Sequence, residues 1–269
     1  MKNLLCLSTI TMGVLTCLQV SHARQWVIDV KGSDQAAGTA DDPFKTISRG
    51  AEKALPGDTV LVRAGVYRER VAPPRGGVAG KPITYRGEKL GAVFIRGSEH
   101  WQPEWGKHHD SVYFAVTQKE LFDDDVYVDS ANPFMVALSS TPYGRDGKPE
   151  VERYQRGDAG VVFNCGQVIV NGRPYVQVPF LSEVEKQIRT WTFIPATGRI
   201  YINFGELSPA AQQVEITVRR RNFAPHVKGL GYIVVEGFVM EHCGNQYPTN
   251  FWNTPKWAQA GAMGLRGGH

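Results

Sequence analysis

From Gln25 onward the apolar positions come in short runs separated by turn residues. Gln25-Trp26-Val27-Ile28-Asp29-Val30 is the first run, closed by Lys31-Gly32-Ser33-Asp34, and it predicts a strand. Asp42-Pro43 then opens a helix. Proline suits the first helical turn, Asp42 or Thr46 can cap it, and Phe44, Ile47, Ala51 and Leu55 recur at the helical period. Pro56-Gly57 ends it. Further strands are predicted over 58–63, 82–86 and 92–96, at turn-sized separations.

One short pattern repeats. Tyr85-Arg86-Gly87, Ile95-Arg96-Gly97, Val235-Glu236-Gly237 and Leu265-Arg266-Gly267 share the order apolar, charged, glycine. Physically this is a strand whose last inward residue fills a core, whose next residue meets solvent, and whose glycine turns a corner. Such strands suit a solenoid of coils better than a hairpin sandwich. The competing reading is a pattern that any β-rich chain of this composition yields by chance.

The segment from about 101 to 221 breaks the rhythm. Asn171-Gly172 between the apolar-rich runs 167–170 and 173–178 signals a hairpin, and a second is expected where Ala196-Thr197-Gly198 joins 190–193 to 200–204. Val214-Glu215-Ile216-Thr217-Val218 alternates as a half-buried strand does. Residues 101–221 therefore form an antiparallel β-rich insertion. Coil-like patterning resumes at 231–238, so the expected organisation is a leader over 1–23, coils with a helix over 24–100, the insertion, and resumed coils over 222–269.

Composition narrows the classes. The chain has 269 residues, 42% of them hydrophobic, with 29 Gly and 16 Pro, which excludes a disordered chain and a multi-span membrane protein and favours a turn-rich β architecture. Thirty Lys+Arg against 26 Asp+Glu leave a formal charge of +4, no footprint for nucleic acid. The one dense basic run, Arg219-Arg220-Arg221, reads as a solvated strand end. Met1-Lys2-Asn3, an apolar stretch to Val20, and Ser21-His22-Ala23 read as a secretory leader cleaved after Ala23, giving a secreted or periplasmic protein. Cys165 and Cys243 would then remain, free and buried or joined in one disulfide.

Together, Gly32-Ser33-Asp34, Gly38-Thr39, Pro43-Phe44-Lys45-Thr46-Ile47, Pro56-Gly57-Asp58-Thr59-Val60 and Gly65-Val66-Tyr67-Arg68-Glu69 resemble the start of the secreted right-handed parallel β-helix proteins of the pectate-lyase-like superfamily. The nearest resemblance is to bacterial carbohydrate-active members, including glycoside hydrolases with a β-rich insertion between early coils. The resemblance implies an all-β fold: a right-handed parallel β-helix with an N-terminal capping helix and an antiparallel β-rich insertion. It also implies a polysaccharide or oligosaccharide ligand on the outer face. Members usually continue for many more coils and carry their catalytic carboxylates or bases in the middle ones. With no capping element after 267–269, the expectation is an N-terminal portion that lacks the main catalytic residues.

The candidate chemistry lies toward the end of the chain. Glycoside hydrolysis usually needs two carboxylates flanking the scissile bond, and the sequence offers carboxylates without marking a pair. Glu241 and His242 follow a strand and are candidates for proton transfer, with Asn245 and Gln246 for hydroxyl contacts and Trp252 and Trp257 as surfaces for sugar rings. Packing of those tryptophans under a loop is the competing reading. Arg266 and His269 complete the catalytic candidates, Arg266 as a carboxylate ligand or a lyase base. Asp123-Asp124-Asp125 with Asp129 could bind calcium or form a solvated loop; no other metal or cofactor is expected. Glu69 is expected to serve the fold by pairing at a coil edge. The function expected is polysaccharide processing by a monomer with no nucleotide or nucleic-acid partner. Glycoside hydrolase chemistry leads, with a polysaccharide lyase and a non-catalytic carbohydrate-binding or cell-surface protein as alternatives.

Overall fold

Residues 23–122, 132–135, 164–225 and 229–244 are described by a computed structural model; the leader and the Asp123–Asp129 cluster lie outside them. The chain begins with β1 (Gln25–Ile28) and reaches α1 (Ile47–Lys53), which starts later than the periodicity suggests. Thr46 is its N-cap, its hydroxyl accepting from Arg49 N–H at 3.1 Å. Asp42 instead accepts from Ala37 N–H in the preceding turn. The helix stops at Ala54, which lies two residues before Pro56, so Leu55 falls outside it and is exposed rather than on the buried face.

Asp34 and Glu69 hold the helix start. Asp34 accepts from Thr46 N–H and its hydroxyl, and Glu69 accepts from Ile47 N–H, Ser48 N–H and the Ser48 hydroxyl. Glu69 thus serves the fold as an anchor for orphan helical amides rather than as a partner at a coil edge. Burial pushes its pKa up, against the pull of the bonds from Ser48 and Ile47.

β2 (Thr59–Val62), β3 (Gly65–Tyr67), β4 (Ile83–Gly87) and β5 (Val93–Arg96) come next. All pairings here are parallel: β1 with β2, β2 with β4, and β3 with β5. Two sheets therefore grow side by side, each strand adding one layer. Inward residues Ile28, Val60, Val62, Tyr67, Ile83, Tyr85, Val93 and Ile95 fill the space between them with α1 across one end.

The chain then forms β6 (Ser98–His100), β7 (Gly106–His109), β8 (Val112–Val116), β9 (Val168–Val170), β10 (Arg173–Pro174), β11 (Val176–Gln177), the short α2 (Leu181–Val184), β12 (Thr190–Ile194), β13 (Arg199–Asn203) and β14 (Val214–Thr217). Pairing is now antiparallel, except that β11 runs parallel to β12. Both expected hairpins are present. Asn171 and Gly172 turn the first with φ of 50 and 74, the left-handed geometry that makes Asn-Gly a hairpin signal. Trp101, Phe134, Val168, Trp191, Phe193, Ile200, Ile202 and Ile216 form a second core.

β15 (Ile233–Glu236) and β16 (Val239–Glu241) rejoin the parallel sheets, β15 beside β4 and β16 beside β5. The repeated triplets occupy equivalent places here. Tyr85 and Ile95 are buried, Arg86 and Glu236 are exposed and ion-paired, and the glycines stand at corners. Of the described triplet glycines, Gly237 alone has a positive φ, 80. Gly97 is required by crowding: a Cβ there would lie 2.6 Å from Cys243 Cα. Leu265-Arg266-Gly267 lies outside the described residues.

Candidate active site

Where the parallel sheets meet the antiparallel part, charged side chains gather around one carboxylate. Glu215 stands in β14, whose four residues are all buried, and is itself 4% exposed. The strand alternation pointed it at solvent. It meets side chains from the parallel half instead. Arg68 follows β3, Arg96 ends β5, Ser98 begins β6 and His242 follows β16.

Arg68 Nη1 donates to Glu215 Oε2 at 3.0 Å and to Ser98 O at 2.8 Å, while Arg96 Nη1 lies 3.4 Å from Glu215 Oε1. The Ser98 hydroxyl donates to Glu215 Oε2 at 2.7 Å. A buried carboxylate so served keeps its charge. Burial opposes ionisation, yet hydrogen bonds from His242, Arg68 and Ser98 hold Glu215 far below the ordinary carboxylate range. Glu215 is therefore a fixed anion and cannot protonate a leaving group.

His242 is oriented by that anion. Its Nδ1 lies 3.2 Å from Ser98 Oγ and 3.4 Å from Glu215 Oε2. Because the one hydroxyl proton of Ser98 goes to Glu215, Nδ1 must carry a proton and donate. The lone pair of the neutral ring is then at Nε2, as a proton-accepting histidine requires. Its backbone has φ 58, and its carbonyl accepts from the Thr217 hydroxyl at 3.0 Å. Ser98 is fully buried and has already committed its proton, so it is no nucleophile.

Glu241 pairs across the sheet with Arg96, in register, and accepts from Arg96 Nε at 2.7 Å. Arg96 thus bridges two carboxylates, buried Glu215 and Glu241, whose side chain is 29% exposed. Arg68 Nη2 also lies 3.1 Å from His100 Nε2; a guanidinium can only donate, so that nitrogen accepts. Arg219 binds Glu99 at 2.5 Å, and Arg221 is 3% exposed, so the basic run is built into the joint and is no solvated strand end.

Of the sequence-predicted site residues, Glu241 and His242 lie together in this cluster. Asn245, Gln246, Trp252, Trp257, Arg266 and His269 lie outside the described residues. Sequence reasoning missed Arg68, Arg96, Ser98 and Glu215. The signal was partly visible, since Arg68 and Arg96 both follow inward residues at strand ends, but their meeting with Glu215 depends on pairings across more than a hundred residues. Cys165 and Cys243 are both buried free thiols, each pushed up to about 11 by burial.

No protein-family model matches the chain. It is 31% identical over 118 residues to the uncharacterized protein YwoF of Bacillus subtilis, covering 42% of this chain and 25% of that protein. It is 34% identical over 70 residues to pectate lyase PEL9 of Emericella nidulans, covering 25% of this chain and 17% of that one. Among solved structures it is similar to XylC in complex with xylose, with a TM-score of 0.65 and 27% identity over 89% of this chain and 38% of XylC. The chain thus shares its mostly-β fold with a sugar-bound protein, while spanning a quarter or less of the curated relatives and under half of XylC.

Proposed function

We propose that the chain belongs to an exported polysaccharide-processing protein of glycoside-hydrolase type. In this reading the parallel strands are successive coils of a right-handed parallel β-helix, interrupted by an antiparallel insertion over 101–221. The likeness to XylC carries the proposal, because it extends over 89% of the chain and that structure holds a sugar. Glu241 and His242 are the proposed proton-transfer groups. Glu215 orients His242, and Arg96 positions Glu241.

The PEL9 match favours a second reading, a lyase. Product chemistry separates the two. The purified chain, supplied with xylan and with polygalacturonate, is followed by reducing ends and by unsaturated-uronate absorbance. The first reading predicts reducing ends from xylan without that absorbance, and a loss of at least about 100-fold in Glu241→Gln and His242→Gln with melting temperatures preserved. Absorbance from polygalacturonate replaces it with the lyase. Full activity in Glu241→Gln removes that residue from the chemistry.

A further inference from the structure

The alternation of β16 packs Met240 on the core and leaves Glu241 on the outer face, where Arg96 meets it. One more residue of strand would turn His242 back toward the core. The chain leaves the strand there instead, because His242 has φ 58, a left-handed conformation uncommon for any residue but glycine. That turn brings the ring to Glu215, the carboxylate that Arg96 also reaches, so Glu241 and His242 end on one side.

Such a backbone persists where its surroundings over-determine it. Three consecutive carbonyls here each accept from a side chain: Glu241 O from Asn222 Nδ2 at 3.0 Å, His242 O from the Thr217 hydroxyl at 3.0 Å, and Cys243 O from Gln167 Nε2 at 2.5 Å. Backbone bonds close both ends, from Gly97 N–H to Glu241 O at 3.0 Å and from Gly244 N–H to Arg219 O at 2.9 Å. Thr217 and Gln167 belong to the antiparallel half and stand on one rung, Thr217 N–H donating to Gln167 O at 3.1 Å.

We infer that Thr217 and Gln167 are positioning residues: the antiparallel half clamps the backbone from Glu241 to Gly244 and so sets the direction in which the His242 ring faces. The inference deepens the reading of His242 as a proton-transfer group and rests on it. Ser98 and Glu215 hold the ring at Nδ1. The clamp fixes its root, and two fixed points leave Nε2 one direction. Released from the clamp, residue 242 relaxes toward extended backbone and its ring leaves Glu215.

Nitrogen-15 NMR of the His242 ring, measured beside turnover of xylan and polygalacturonate, tests this. The neutral ring of the wild-type chain is expected as a single tautomer with its proton on Nδ1. Thr217→Val, close in shape but without the donor, should give a mixture of tautomers and lower kcat about tenfold with KM unchanged. Thr217→Ser keeps the donor and should restore both. Gln167→Leu, at a half-buried position, should act as Thr217→Val does with its melting temperature kept, and it decides alone if Thr217→Val fails to fold. A single Nδ1 tautomer in every folded variant overturns the clamp, whatever the turnover. Mixed tautomers in the variants, with no turnover of either polysaccharide by the wild-type chain, uphold the clamp on His242 and overturn its use in polysaccharide chemistry.

Discussion

The parallel half has an inside and an outside, whereas much of the antiparallel half has two insides. In β2, β4 and β5 every second residue is buried and the others reach the outer face. In β12 and β13 four residues of five are buried, because Trp191, Phe193, Ile200 and Ile202 face one core while Tyr201 faces another made with Val112, Val178 and Val184 of the strand edge and α2. Buried amide side chains inside the antiparallel half serve the structure. Buried Asn203 donates to Val184 O and accepts from Ser111 Oγ and Gly205 N–H. The outward-facing charged side chains therefore lie on the parallel half, and the antiparallel half acts as a wall that contributes Glu215 to pair with them.

The largest test of this division is Glu215→Ala. Removing the anion strands Arg68 in a half-buried joint, while Arg96 keeps Glu241, and urea denaturation should show a loss of roughly 3 kcal/mol. The acid dependence follows in sign. A carboxyl whose folded pKa is lowered gives its full stabilisation above its unfolded pKa and loses it as pH falls. Stability should therefore drop progressively below about pH 4.5, by the ordinary carboxylate scale, and Glu215→Gln should flatten that part of the curve. An unchanged curve would mean that the Glu215 ion pairs do not hold the two halves together, leaving packing and neutral hydrogen bonds such as Thr217 Oγ1 to His242 O.

Gly97→Ala probes the same joint through the backbone. The added methyl would press on Cys243 Cα and on Asn222 Oδ1, 2.9 Å away, and Asn222 holds Ile95 O and Glu241 O through its amide. A cost of about 1–3 kcal/mol is expected, visible as a lowered denaturation midpoint. The smallest effect lies deep in the parallel half. The Tyr85 hydroxyl is fully buried with no hydrogen-bond partner among the described residues. Tyr85→Phe should therefore leave stability unchanged or raise it by about 1 kcal/mol. A marked loss would reveal a polar interior where the comparison requires an apolar one.

The sequence made local structure readable where local chemistry decides it. The Asn171-Gly172 hairpin, the inward and outward residues of the triplets, and the helix before Pro56-Gly57 are set by neighbours a few residues apart. Leu55 was misplaced because periodicity continues past the point where Pro56 ends the helix. Glu215 looked like the solvent side of an alternating strand, since alternation cannot tell solvent from a second wall bearing arginines. Arg68, Arg96 and Glu241 are spread over about 170 residues of chain, and only strand register brings them to one face. Glu241 and His242 were visible because they follow a strand directly. Glu215, which orients His242, had no local sign.

The most direct measurement is a crystal structure of the chain with xylotetraose bound. The account predicts a sugar ring lying against Glu241 and His242 at the end of β16. A sugar bound on the antiparallel half, away from Glu241 and His242, would contradict it.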